Sequence, residues 1–187
     1  GPWPLSEAVI DAGLAYTTIG AAAVAFYHLE VTLWFSSVIV LLTAVHFHYA
    51  GFVLPVTTGL IGRCEAITAA VYRPLAVVVA VGPAIIAVGI SFSPLIEVLA
   101  VGVFTVTVAV LGGYVIVRLA PTRPRLQGLF LAVSALSLPV SMVLALAYGV
   151  TAFTGSWVSG LSISRMVSLH GTLNAFGFGL LATVGWR

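Results

Sequence analysis

Residues 95–118 read LIEVLAVGVFTVTVAVLGGYVIVR, with Glu97 and Arg118 as the only charges. A helix needs about 20 apolar residues to cross the hydrocarbon layer of a bilayer, and this run exceeds that. Comparable runs occupy about 8–28, 32–54, 74–91, 126–150 and 165–186. Between them they account for most of a 187-residue chain that is 61% hydrophobic and 6% charged. Soluble domains carry roughly a quarter charged residues, so this chain lacks the polar surface to face water on all sides. The expectation is an all-α, polytopic membrane helical bundle of about six spans, forming one transmembrane domain over residues 1–187 and lying in the cell membrane as a multi-pass protein. Gly1-Pro2 reads as a remnant of protease cleavage and is set aside.

The breaks between runs carry turn and cap chemistry. Ser93-Pro94 offers an N-cap followed by proline at the first helical position. Arg118 to Arg125, with Pro121 and Pro124, divides the fourth run from the fifth, and the Ser-, Thr- and Gly-rich stretch Thr151 to Ser164 divides the fifth from the sixth. All seven basic residues are arginines. Arg63, Arg73, Arg118, Arg123, Arg125 and Arg187 fall at one set of span ends and Arg165 at the other, which predicts cytoplasmic N- and C-termini. Trp3, Trp34, Trp157 and Trp186 lie near span ends, as an interfacial aromatic belt requires. The arginines are scattered, so no basic patch exists to follow a phosphate backbone and no nucleic-acid partner is expected. A lone Cys64 allows neither an internal disulfide nor a CxxC site.

Polar residues inside such runs are costly and by default mark function. The second run carries Thr43-Ala44-Val45-His46-Phe47-His48-Tyr49-Ala50-Gly51-Phe52, and the sixth carries His170-Gly171-Thr172-Leu173-Asn174-Ala175-Phe176-Gly177-Phe178. On a helix, His46 and Tyr49 share a face, as do His170 and Asn174. His46 and His48 point nearly opposite ways, so one is expected to line the interior and the other to pack on a neighbour, with His46 as the interior residue. With helix entries near residues 32 and 165, His46 lies about 21 Å deep and His170 about 8 Å. An oblique polar line through His170, Asn174 and His46 follows, with Glu97, His28 and Glu30 near its outer mouth.

The two polar segments resemble the signatures of the YndJ-like family of bacterial and archaeal membrane proteins. The first match continues through Leu54-Pro55 and Gly59, and the second begins at Met166-Val167 and runs through His170-Gly171, Asn174-Ala175 and Gly177-Phe178. The resemblance implies a helical membrane protein and singles out these residues; it names no reaction, and many members carry further segments. His170-Gly171 with Asn174 and Gly177 also resembles haem-binding membrane helices, but the depths estimated for His46 and His170 do not suit two axial ligands of one haem.

The functional expectation is an intramembrane enzyme performing acid–base chemistry on a hydrophobic small molecule: isomerisation, cyclisation, or epoxide opening and hydrolysis. Imidazoles that titrate near neutrality, carboxylates and orienting donors meet that need without cofactor or metal. The expected catalytic residues are His46, His170, Asn174, Tyr49 and Glu97, with His28, Glu30, His48 and Phe178 binding substrate. A small-molecule or ion transporter and a haem or metal redox protein are the alternatives. Sequence leaves the oligomeric state open.

Overall fold

In a computed structural model of the chain, which describes residues 4–64, 67–156 and 160–187, six helices are long and apolar enough to cross a membrane. These are α1 (Leu5–His28), α2 (Ser37–Arg63), α3 (Ala69–Phe92), α4 (Pro94–Thr122), α5 (Arg125–Thr154) and α6 (Ile163–Gly185). Among the described residues there is no strand. Trp3, Trp157, Glu65 and Gly1-Pro2 lie outside the described residues.

Local chemistry accounts for most helix ends. Ser93 caps α4, its hydroxyl accepting from the Ile96 amide, with Pro94 beginning the helix. Gly155, at φ 67°, ends α5 in the left-handed conformation that glycine adopts without penalty. Three ends differ from expectation by five residues or more, the largest being that of α2, which runs on to Arg63 and not to about residue 54. Helix α2 starts at Ser37 instead of near residue 32, because the chain reverses through residues 29–36 with Glu30 and Leu33 at positive φ. Leu33, Trp34 and Phe35 in this stretch are apolar, so hydropathy alone counts residues 32–36 as membrane span. Helix α3 starts at Ala69 and holds Pro74 within it, which places Arg73 on the helix and not in a flanking loop.

Successive helices pack as neighbours: α1 on α2, α3 on α4, α4 on α5 and α5 on α6. The core draws on all six, from Val9, Leu54 and Val79 through Phe104 and Leu138 to Phe178. Valines and leucines such as Val106, Val117 and Leu136 stay exposed around the outside, as expected of a lipid-facing surface. Small residues allow close approach: a Cβ added to Gly112 would come within 2.4 Å of the Ala135 carbonyl oxygen on α5. At the arginine-bearing end, Arg63 grips Glu7 through two hydrogen bonds of 2.7 and 2.6 Å. Arg123 lies over the Trp186 ring at 5.6 Å and Gln127 donates to the Arg187 carbonyl. These contacts gather the start of α1 and the ends of α2, α4 and α6 on one side.

Helices α2, α4 and α6 are not α-helical throughout; in α4, Val115–Leu119 is a π-turn and Ala120–Thr122 a 3-10 turn. Tyr49–Val53 of α2 is a π-turn, as are Val167–Gly171 and Leu173–Leu180 of α6. The first sits directly before Pro55, whose missing N–H and ring would disturb the preceding α-helical turn. The wider i→i+5 turn absorbs that disturbance. Pro83 and Pro139 are carried inside α3 and α5 without ending them.

Candidate functional site

The π-turns of α6 bring His170 and Asn174 close to one line along the helix, and the Asn174 side-chain amide reaches His170 Nε2 at 3.0 Å. On the other side of the ring, Nδ1 lies 3.0 Å from the Ser141 carbonyl oxygen and 2.8 Å from Ser141 Oγ. A carbonyl only accepts, so Nδ1 carries the proton and Nε2 accepts from the Asn174 amide. The Ser141 hydroxyl donates in turn to the His170 carbonyl at 3.2 Å. Both residues are buried, Ser141 completely. The imidazole is therefore held at both nitrogens, in one tautomer, between α5 and α6. Asn174 Oδ1 is also buried and has no hydrogen-bond partner among the described residues.

His46 stacks on His170, with ring centroids 5.9 Å apart and planes inclined by 26°. This corrects the depth reading. Counted from Ser37, His46 lies about 14 Å along its helix, and His170 counted from Ile163 about 10 Å. The five residues misassigned to the start of α2 created most of the expected offset. Both His170 nitrogens are taken up by Ser141 and Asn174 in this arrangement, so neither is presented to a haem iron. His46 Nδ1 is 2.6 Å from the Leu42 carbonyl, so it too is the protonated nitrogen and Nε2 is the basic one. His46 is exposed, contrary to the interior position expected for it: the outer half of α2 packs chiefly on α1, leaving its seam with α6 uncovered.

The other expected site residues are distributed as follows. Tyr49, on the His46 face, lies against α6, where a Cβ at Gly179 would meet its ring at 2.7 Å. His48 turns to α1 and fills the notch at Gly20, where an added Cβ would stand 2.6 Å from the imidazole; its Nδ1 is 2.7 Å from the Ala44 carbonyl. Glu97 sits near Gly149 of α5, about 12 Å along that helix from Ser141, and so belongs to a different part of the bundle. His28 is the last residue of α1 and Glu30 follows it, both exposed, with His28 edge-on to Tyr27. Phe178 is buried in the core. Among the described residues no three His, Cys, Asp or Glu side chains converge to hold a metal ion.

Ser141 is the member that sequence reasoning missed. The signal was present: Ser134, Ser137 and Ser141 follow one another at spacings of three and four on α5, a polar stripe on one helical face. Serine is common enough in membrane helices, bonding its own i−4 carbonyl, that the stripe drew no notice. Ser137 does just that with the Val133 carbonyl at 2.8 Å, whereas Ser141 spends its hydroxyl on His170.

Six apolar helices around a small set of buried, hydrogen-bonded polar side chains define a polytopic α-helical membrane protein. The sequence profile of the YndJ-like protein family matches residues 1–178. A relative from Bacillus subtilis (strain 168), the "Uncharacterized membrane protein YndJ", is 31% identical over 185 residues, covering 98% of this chain and 33% of that protein. The chain belongs to the YndJ-like family. It spans about a third of the length of the curated relative it matches. No solved structure matches it.

Proposed function

We propose that the chain forms the acid–base centre of an intramembrane enzyme acting on a hydrophobic small molecule by isomerisation, cyclisation or epoxide opening and hydrolysis. The observation that carries this reading is the stacked pair in which His170 is held by Ser141 and Asn174 while His46 stands exposed beside it. His46 Nε2 is the proton-exchanging atom, open to a molecule arriving laterally from the bilayer. His170 is a positioning residue that fixes the plane of the His46 ring. The orphaned Asn174 Oδ1 suits this role. Rotation of the amide presents an acceptor in place of a donor, so Asn174 can serve His170 with Nε2 bare or protonated. The hydrogen-bond partners of the two rings include no carboxylate, so the chemistry rests on the imidazoles, and Glu97 acts at most at a distance.

The test compares hydrophobic metabolites, by mass spectrometry of membrane extracts, from cells producing the full-length protein or its variants. A species formed or consumed with the wild type should revert with His46→Gln, which removes the titrating nitrogen, and equally with His170→Ala and Asn174→Ala. Activity retained in His46→Gln would remove the proposed base. The Ser134, Ser137 and Ser141 stripe favours a second reading, in which the same imidazoles pass protons or an ion across the bundle. Unchanged metabolites together with a His46-dependent proton flux in proteoliposomes would select it.

A further inference from the structure

Towards the arginine-bearing end of the bundle, a cavity of about 40 Å³ lies between α2, α4, α5 and α6, reaching from Leu138 and Phe178 to Trp186. Its walls are apolar except for three hydroxyl side chains, Thr57, Thr58 and Ser134. Thr57 spends its hydroxyl proton on the Val53 and Leu54 carbonyls, at 3.0 and 2.9 Å, which leaves its oxygen free to accept. Thr58 is fully buried, and its Oγ1 has no hydrogen-bond partner among the described residues. Thr57 and Thr58 of α2 and Ser134 of α5 thus line one space with apolar side chains and the Trp186 indole.

The geometry points to a buried water site in this cavity, one to three water molecules held by Thr58 Oγ1, Ser134 Oγ and Thr57 Oγ1. One water needs roughly 10–15 Å³ of such space and two to four polar partners, and both conditions are met. A dry cavity would leave Thr58 unsatisfied at the centre of a membrane bundle, where no lipid or solvent group can compensate it. The site lies one turn of the α5 serine stripe below Ser137 and two below Ser141, so it brings hydration to within two helical turns of the imidazole pair. The inference stands independently of the proposed reaction, since its measurements read stability and hydration and not turnover.

The experiment uses Thr58→Val, Ser134→Ala and the double variant of the full chain in detergent. Valine matches threonine in shape, so in a dry cavity it removes an orphaned group and the thermal midpoint holds or rises. With water bridging the two hydroxyls, each single change lowers the midpoint, and the double change lowers it by less than the two shifts added. A midpoint that is unchanged or raised in Thr58→Val overturns the site. Radiolytic labelling in ¹⁸O-enriched water supplies a readout that does not depend on stability. Leu54 and Phe178 line the cavity yet are only 4% and 5% exposed, so they should incorporate oxygen in the wild type and lose it in the double variant. No incorporation at either residue in the wild type overturns the site equally.

Discussion

At the residue scale, the contrast between His46 and His48 carries the functional argument. They are two positions apart on one helix, share the same Nδ1-to-carbonyl bond, and differ in what their ring faces meet. His46 meets another imidazole, and His48 meets the notch at Gly20. His46→Gln keeps a hydrogen-bonding side chain but cannot titrate near neutral pH, so it should lose activity while melting close to the wild type. His48→Gln loses a ring that fits the α1 surface, and should lower stability by about 1–3 kcal/mol with activity retained in the protein that remains folded. Activity and thermal midpoint measured on both decide the matter. An active His46→Gln beside an inactive, stable His48→Gln would show that the wrong face had been chosen.

At the scale of elements, the bundle depends on backbones that approach without side chains between them. Gly112 and Gly113 are adjacent on α4 and make opposite predictions. A Cβ at Gly112 runs into the Ala135 carbonyl oxygen, a backbone atom that cannot swing aside, while a Cβ at Gly113 meets nothing within 4 Å. Gly112→Ala should therefore part α4 from α5 and cost about 1–3 kcal/mol through overpacking. Gly113→Ala should be neutral or stabilising by up to about 1 kcal/mol, because alanine is the better helix former. Thermal midpoints of the two variants in the same detergent provide the comparison, and equal losses would mean that α4 and α5 do not pack as described. The π-turns belong to this scale as well. Those of α2 and α6 set the rotation of Tyr49 and Asn174 towards the site, and a further one, Val115–Leu119, lies on α4.

At the scale of the whole molecule, the Glu7–Arg63 pair joins α1 to α2 at the arginine-bearing end. The Arg123–Trp186 contact and the Gln127 bond join the start of α5 and the turn before it to the end of α6, and Arg123 reaches Cys64 Sγ at 3.5 Å between the two groups. By the positive-inside rule, we predict that this end is cytoplasmic. In a Cys64→Ser background, Thr122→Cys should then react with an impermeant thiol reagent only after the membrane is opened, whereas Ser156→Cys should react in intact cells. Labelling of position 122 from outside would invert the orientation and put the imidazole pair nearer the cytoplasmic face.

The number of spans and the helical membrane class were legible from composition and hydropathy, because a bilayer imposes a length and a polarity that hardly depend on tertiary contacts. The Ser93-Pro94 start of α4 was equally plain, since a cap is local chemistry. The meeting of His46 with His170 was not. It turns on where a reversing, apolar stretch such as residues 29–36 leaves the membrane, and hydropathy cannot distinguish an apolar loop from the first turn of a helix. The partnership of Ser141 with His170 was hidden for a related reason. A serine that bonds its own helix and one that bonds a neighbour look alike in one dimension, and only the packing of α5 against α6 chooses between them. The exposure of His46 depends likewise on what fails to cover it, which no local pattern records.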